Sequence, residues 1–242
     1  MDSGYYAAFT GLMARMEALD VVANNLANVS TIGFRGQHEF YRAVTGSAGD
    51  ALSPLNVAIN DYGVLGGSDV DFKQGSLQPT GNSLDLAVRG TAFFAVQTAR
   101  GIRYTRNGSF HVSTAGQIVD DDGDIVLGPN GAVQVPQGPI DVASDGTVSV
   151  AGAVAGQVRL AEFAPGTDLV PEGNSEFVAQ GAPLPATNST IAGGMLEASN
   201  LSPLHETVNL IALQRHAELL ERTLSVFLDD FNRTAVLDLP RD

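Results

Sequence analysis

The sequence predicts an α+β protein in which a helix at each end of the chain flanks a central β-rich domain of antiparallel hairpins. Apolar residues recur every three or four positions in the first and last segments, as in helices. The middle of the chain instead contains alternating apolar residues and repeated Asn-Gly and Asp-Gly pairs, which are typical of hairpins. We expect the two terminal helices to form one discontinuous coiled-coil domain.

The first predicted helix runs from residue 3 to about 29, within an N-terminal segment of residues 1–34. Its apolar residues step by alternating four and three, a period of 3.5 that keeps one seam on one side of a helix. We expect the helix to end near Asn28, because Ser30–Gly33 is turn chemistry. The seam consists of Tyr5, Phe9, Leu12, Met16, Leu19, Ala23 and Leu26.

Residues 35–75 are predicted to be an extended, glycine-rich connector. Glycines interrupt its apolar runs, and no period is clear. Its aromatic residues favour a segment with partial order over a freely flexible linker.

Residues 76–193 are predicted to form the β-rich domain. Leu84, Leu86 and Val88 alternate with polar or small residues, and Phe93–Val96 reads as a second strand. Dipeptides that supply the positive φ angles of tight hairpins then recur at short spacing. These are Asn107-Gly108, Ala115-Gly116, Asp122-Gly123, Asn130-Gly131 and Asp145-Gly146.

Residues 194–242 complete the helical domain with a helix from residue 200 to about 234. Ser202 can cap this helix, and Pro203 suits its first turn. Apolar residues outside its seam, such as Ile211 and Leu219, predict a second apolar face and hence a partner interface. The alternative is an intramolecular helical hairpin in a monomer. The seam consists of Leu210, Leu213, Ala217, Leu220, Leu224, Phe227 and Phe231.

The composition argues against several classes of partner. A formal net charge of −14 disfavours nucleic acid and anionic membrane surfaces. The chain contains no cysteine, so disulfides and thiolate metal sites are impossible. No run approaches the roughly 20 apolar residues that span a bilayer, and we expect no cleaved signal peptide and no membrane insertion.

The residues offer little chemistry of the enzymatic kind. The four histidines lie in different segments, and no nucleophile motif is present. Asp120–Asp124 is the best candidate for a calcium loop, but the calcium-loop template requires a glutamate at its twelfth position, where this chain has Gly131. An acidic, solvated turn is the favoured reading. We therefore predict no catalytic residue, no cofactor and no metal ion.

Three asparagines near the end of the first helix favour a role in recognition. In the heptad register Asn24, Asn25 and Asn28 fall on the face away from the seam. Asparagine costs a helix up to about 0.7 kcal/mol per site relative to alanine. We expect these amides to bind neighbouring subunits and set their register. For Asn28 the alternative is the start of a turn.

Four segments distributed along the sequence resemble bacterial flagellar basal-body rod and hook proteins, and the resemblance covers nearly the whole chain. Ala23–Phe34 resembles the N-terminal signature of that family, and Gly75–Val88 the segment that enters its β domain. Tyr104–Phe110 is similar to its characteristic hairpin, and Gly194–Leu201 to the entry of its C-terminal helix. The chain departs from the usual pattern at His216-Ala217-Glu218, where an aromatic residue commonly precedes the glutamate.

The resemblance implies a structural subunit of the flagellar basal-body rod, with the terminal helices in an inner tube around the export channel. It implies assembly with copies of the chain and with other rod subunits, including the distal-rod protein. Export by the flagellar type III apparatus and a location spanning the periplasm are further implications. The chain length favours the proximal-rod type over the distal-rod or hook type, and a secreted β-rich adhesin or fibre is a more distant alternative. Thr31, Gly33 and Phe34 join the expected assembly residues.

Overall fold

The structure is a computed structural model that describes residues 2–42 and 64–237. Contacts divide these residues into two compact units. The helical unit comprises the described parts of 1–27, 37–71 and 202–242, and the β unit comprises 28–36 and 72–201. These boundaries differ from the four predicted segments, because the connector is divided between the two units. Residues 43–63 of that connector lie outside the described residues.

Two helices account for most of the helical unit. They are α1 (Asp2–Ala27) and α2 (Pro203–Leu237). Leu213 of α2 packs on Ala18 of α1, and the Leu220 side chain lies beside Gly11, so the two helices run antiparallel. The predicted terminal helices are therefore present, and within the chain they pair as a helical hairpin.

A two-stranded antiparallel ribbon completes the helical unit. It consists of β1 (Gln37–Arg42) and β2 (Val64–Val70), with a register shift between Phe40 and Tyr41. Backbone pairing thus orders both described parts of the segment that was predicted to be an extended connector. The sequence did not predict this pairing, because Gly66 and Gly67 interrupt β2 and the apolar residues of β1, Phe40 and Tyr41, are adjacent rather than alternating.

Short strands and tight turns make up the β unit, as predicted. Its strands are β3 (Leu77–Pro79), β4 (Leu86–Arg89), β5 (Phe93–Thr98), β6 (Gly101–Thr105), β7 (His111–Val112), β8 (Ile118–Val119), β9 (Ile125–Gly128), β10 (Gly131–Ala132), β11 (Ile140–Val142), β12 (Thr147–Val150), β13 (Ala153–Gln157), β14 (Leu160–Glu162), β15 (Leu169–Gly173), β16 (Glu176–Ala179), β17 (Leu184–Pro185), β18 (Thr190–Gly193) and β19 (Met195–Glu197).

The largest sheet has ten strands, and its main path is β15-β16-β6-β5-β9-β8-β7. The strand pairs in it are antiparallel, and β10, β14 and β17 join the path at its sides. Smaller sheets pair β11-β12-β13, β18-β4 and β19-β3. One contiguous apolar core, with fully buried side chains such as Phe94, Leu86 and Ile118, lies among these sheets.

The strand at Leu84–Val88 differs from its predicted pattern. Alternation predicted one buried and one exposed face, but Asp85 and Ala87 are buried as well. The bridge from Asp85 to Ser109 and the pairing of β4 with β18 cover the chain on both sides. A period of two therefore identified the strand and gave the wrong exposure for one face.

The Asn107-Gly108 pair is not the turn of a hairpin. Residues 106–108 lie between β6 and the bridge at Ser109 and do not join two strands as a hairpin turn, and the Gly108 carbonyl accepts a hydrogen bond from the Leu86 N–H at 2.9 Å. The glycine is needed for close backbone approach, because a Cβ atom there would overlap the Leu86 carbonyl oxygen. The other four dipeptides lie in the turns that follow β7, β8, β9 and β11.

Within the described residues, no helix is long and apolar enough to cross a membrane.

Candidate functional site

The face of α1 that packs against α2 is not the predicted seam. Small residues, Ala14, Ala18 and Val22, are buried on α1, while the seam residues Phe9 and Met16 are 44% and 51% exposed. Leu12, Leu19 and Leu26 are half-buried, and Ala23 is exposed. The helix α1 is apolar on two sides, and its small side, which allows a close helix approach, forms the contact within the chain. The role of the seam residues of α1 in assembly stays a prediction. The side chain of Tyr5 lies outside the described residues.

The predicted seam of α2 is the buried side of that helix. Leu213, Ala217 and Leu224 are buried, and Leu210 and Leu220 are half-buried. The small side chain of Ala217 is buried there and fits a close helix contact. The side chains of Phe227 and Phe231 lie outside the described residues. A coiled coil between different chains stays a prediction.

A second apolar stripe runs along the opposite side of α2. At about 100° per residue, the exposed residues of this stripe lie roughly half a turn of the helix from Leu213 and Leu224. Arg215 and Arg222 lie in line with them and add positive charge. The outer stripe consists of Leu204, Val208, Ile211, Leu219 and Val226, which are 46–76% exposed.

A matching outer face is present on α1. Phe9, Met13 and Met16 are 44–52% exposed and lie roughly opposite Ala14 and Ala18 around the helix. Each terminal helix therefore has one side that packs inside the chain and another that leaves large apolar side chains in water. Such a surface is typical of a protein interface.

Asn25 is buried and hydrogen-bonds to other parts of its own chain, so it is not an exposed recognition residue. It is 1% exposed, and its Nδ2 donates to the Gln37 carbonyl at 2.7 Å and to Glu206 Oε2 at 3.5 Å. The Gln37 N–H donates to its Oδ1 at 2.9 Å. The expectation that this amide binds a neighbouring subunit is wrong, because its own chain already uses both its donors and its acceptor. Asn24, one residue earlier, is exposed.

Replacing Asn25 with alanine is expected to destabilise the helical unit by about 2–3 kcal/mol, because it leaves the backbone N–H and C=O of Gln37 unpaired. The control is Gln214→Ala, which removes an amide from an exposed position of α2 and should change stability by about 0.5 kcal/mol or less. Urea unfolding followed by far-ultraviolet circular dichroism measures both. Equal stability of the two variants would show that the hydrogen bonds of Asn25 do not stabilise the helical unit.

The predicted assembly residues after α1 form a turn within the β unit. The Thr31 N–H and hydroxyl both donate to Asn28, at 3.0 and 3.3 Å. Gly33 then adopts a φ of +67° and donates its N–H to the Glu197 carbonyl at 2.8 Å. For Asn28 the turn alternative is therefore the observed one. Phe34 is half-buried.

Glu197 is the centre of a buried charge cluster that no sequence pattern indicates. Its Oε1 lies 2.7 Å from Arg35 Nη2, and its Oε2 lies 3.3 Å from Arg106 Nη1. The Gly75 N–H also donates to Oε1 at 2.8 Å. All three charged side chains are 0–2% exposed.

The guanidinium of Arg106 is buried, and its charge is stabilised by its contacts within the cluster. Burial lowers the pKa of its guanidinium to about 10, and the Glu197 carboxylate acts in the opposite direction. Its Nη2 donates to the Gly90 carbonyl at 2.7 Å, and its guanidinium lies 4.7 Å from the centre of the Phe93 ring. Arg35 Nε and Nη1 have no hydrogen-bond partner among the described residues.

The cluster joins the four segments that carry the family resemblance. Gly33 comes from the first, Gly75 from the second, Arg106 from the third and Glu197 from the fourth. Each of these segments contains a glycine or a charged residue, but only the fold brings these positions to one residue: Gly33 contacts the backbone carbonyl of Glu197, and Gly75 and Arg106 contact its carboxylate.

A second acidic cluster lies at the turn after β8. Carboxylate oxygens of Asp120, Asp124 and Glu176 all lie within 4.8 Å of one another. Burial raises the pKa of Asp120, and backbone N–H groups of Asp124 and Asp122 oppose that effect. Burial also raises the pKa of Glu176, with a smaller contribution from the charges of Asp124 and Asp120. The acidic turn is therefore partly buried rather than fully solvated as predicted.

Each unit also contains a cavity with a mixed polar and apolar lining. In the helical unit, a cavity of about 300 Å³ is lined by Asn25, Glu206, His38 and His216 among others, so two of the histidines that are distant in sequence share one cavity. In the β unit, a cleft of about 540 Å³ lies beside Asp145 and Arg159.

The buried hydrogen bonds and ion pairs, together with the exposed apolar faces of both helices, indicate a structural protein whose surface is suited to association. Comparison with known proteins agrees. Residues 6–35 match the family model described as flagella basal body rod protein, and residues 87–150 match the flagellar hook protein FlgE/F/G D1 domain. The chain belongs to the family of flagellar basal-body rod proteins.

Individual relatives make the assignment more specific. The chain is 33% identical to the flagellar basal-body rod protein FlgF of Mesorhizobium japonicum and 34% identical to that of Caulobacter vibrioides, with 90% of each chain covered. It is 30% identical to the flagellar basal-body rod protein FlgG of Bacillus subtilis, over 87% of this chain and 89% of that protein. The chain is thus a FlgF-like member of the family.

Proposed function

We propose that this protein is a non-catalytic structural subunit of the flagellar basal-body rod that assembles through the outer faces of its terminal helices. It joins copies of itself and other rod subunits, and it reaches the rod through the flagellar type III export apparatus. Its place is the part of the rod within the periplasm, around the export channel. Family membership supports the rod, and the outer stripe of α2 supports the route of assembly.

The outer stripe is the single observation that carries the assembly proposal. Inside the chain, α2 already buries Leu213, Ala217 and Leu224. A second row of apolar side chains on the opposite side gains nothing in the free subunit, since it remains in water. Full burial of an exposed Val, Leu or Ile side chain contributes roughly 1.5–3 kcal/mol, so burying the exposed half or more of these five side chains contributes roughly 1 kcal/mol each, which together is enough to drive association.

Replacing Leu219 with glutamate is expected to reduce the amount of the protein incorporated into the rod at least tenfold, because an interface would then bury an unpaired charge. Leu219 is 58% exposed, so the isolated subunit should fold normally. The control is Leu184→Glu in the β unit, which changes a leucine of similar exposure, 48%, outside the stripe. The amount of each variant in purified basal bodies, with circular dichroism of the free subunit, measures both effects. Normal incorporation of the Leu219 variant would contradict the proposal.

The FlgG relatives favour a distal-rod role as the second candidate, because they match nearly as much of the chain at 30–31% identity. Complementation separates the two. We expect the gene to restore motility in a strain that lacks its FlgF and not in one that lacks its FlgG. The reverse result would favour the distal rod.

A further inference from the structure

The acidic turn at Asp120–Asp124 lies next to a carboxylate from the distant strand β16, and the three carboxylates together form a candidate cation site. The Asp120 Oδ1 atom accepts hydrogen bonds from the backbone N–H groups of Asp122 and Asp124, at 3.1 and 2.8 Å, which hold the turn rigid. Glu176 lies at the start of β16, more than fifty residues further along the chain. Its carboxylate meets Asp120 and Asp124, and oxygens of all three lie within 4.8 Å of one another.

The second observation is that Glu176 lacks a partner for one oxygen. Its side chain is 4% exposed, yet Oε1 has no hydrogen-bond donor among the described residues. The Oγ atom of the adjacent Ser175 is buried and unpartnered in the same way. A buried carboxylate oxygen without a donor is costly, and a cation is one of the few groups that can satisfy it.

The charges around the cluster do not balance. Three carboxylates are opposed by Arg100, whose Nη2 lies 3.3 Å from Glu176 Oε2. Arg100 is 54% exposed, and its Nη1 also lies 3.3 Å from Glu172. Arg103, the second arginine that acts on Glu176, lies 2.8 Å from Glu172 as well. With Glu172 counted, four carboxylates face two arginines, so about two negative charges are left over, which is the charge of one divalent cation.

We propose that Asp120, Asp124 and Glu176 bind a single Ca²⁺ ion. Calcium takes six to eight oxygen ligands at about 2.3–2.6 Å in flexible geometry, so oxygens bound to one ion lie up to about 5 Å apart. The glutamate that the calcium-loop template requires at position 131 is supplied instead by Glu176 from another strand. Asp124 is only half-buried, which leaves room for water to complete the coordination.

Calcium is favoured over magnesium because the ligands come from a turn and a separate strand. Magnesium requires a nearly ideal octahedron at about 2.0–2.1 Å and gives up water reluctantly. The bound calcium would join the β8–β9 turn to the β15–β16 hairpin and so stabilise the β unit. This inference does not depend on the proposed assembly.

Calorimetric titration of the full chain with CaCl₂, after treatment with EDTA, tests the proposal. We expect one ion per chain and a higher thermal midpoint at saturation than in EDTA. Glu176→Gln should bind calcium at least tenfold more weakly, whereas Glu172→Gln, which changes a neighbouring carboxylate outside the cluster, should bind like the parent chain. Should Glu176→Gln fail to fold by circular dichroism, Asp124→Asn takes its place with the same expectation.

Three results would overturn the proposal. The first is no heat and no shift of the midpoint at about 10 mM calcium, roughly ten times the weakest dissociation constant of extracellular calcium modules. The others are calcium binding by the Glu176 variant as tight as by the parent chain, and magnesium binding as tight as calcium binding.

Discussion

Replacing Glu197 with glutamine is expected to lower the free energy of unfolding of the β unit by about 3–5 kcal/mol. Glutamine keeps the shape of the side chain but removes the charge that faces Arg35 and Arg106, at 2.7 and 3.3 Å. Both guanidinium groups would remain buried without a counter-charge, which is the costly way to break a buried ion pair. Near-ultraviolet circular dichroism across a urea titration measures the change, since Tyr104 of the β unit is buried.

The matched control is Glu172→Gln. Glu172 also faces two arginines, Arg103 at 2.8 Å and Arg100 at 3.3 Å, but its side chain is 34% exposed. Partly exposed pairs of this kind contribute about 1 kcal/mol or less. If both glutamines changed stability equally, burial would not be what makes the Glu197 cluster important.

Replacing Gly108 with alanine is expected to destabilise the β unit by about 4 kcal/mol or more, or to prevent its folding. The added Cβ atom would overlap the carbonyl oxygen of Leu86, which is backbone and cannot rotate away. The strand would have to move, which would break the hydrogen bond from the Leu86 N–H to the Gly108 carbonyl. Losses of this size come from a few mechanisms, and overpacking in a core is among them.

Gly123→Ala is the control for Gly108. The two glycines follow Asp122 and Asn107, so in sequence they look alike. Gly123 has a φ of +87°, and no atom lies within 4 Å of the position of an added Cβ, so only backbone strain opposes alanine there. We expect a loss of about 1 kcal/mol. Thermal unfolding of both variants makes the comparison, and equal losses would show that close approach at Gly108 is unimportant.

The sequence by itself determined the order of the elements. Helical spacing at the two ends and turn dipeptides in the middle are local signals, and they located α1, α2 and most hairpins. The seam of α2 was also readable, because large apolar residues on that side coincide with the buried face. The resemblance to rod proteins came from continuous segments, and the family comparison confirmed it.

Tertiary structure alone decided which surfaces pack inside the chain. On α1 two apolar sides compete, and the choice of Ala14, Ala18 and Val22 depends on how closely α2 can approach. The role of Asn25 depends on Gln37 and Glu206, of which Glu206 lies 181 positions along the chain. No local pattern reports such a partner.

The same reason explains the two charge clusters. Glu197 and Glu176 each meet residues that are far away in sequence, so their burial and their partners follow from strand pairing and not from composition. An acidic turn reads as solvated until a distant strand covers it. What the chain encodes locally is therefore where helices, strands and turns begin. Which charges become buried together is a long-range property, because it depends on the packing of all of them.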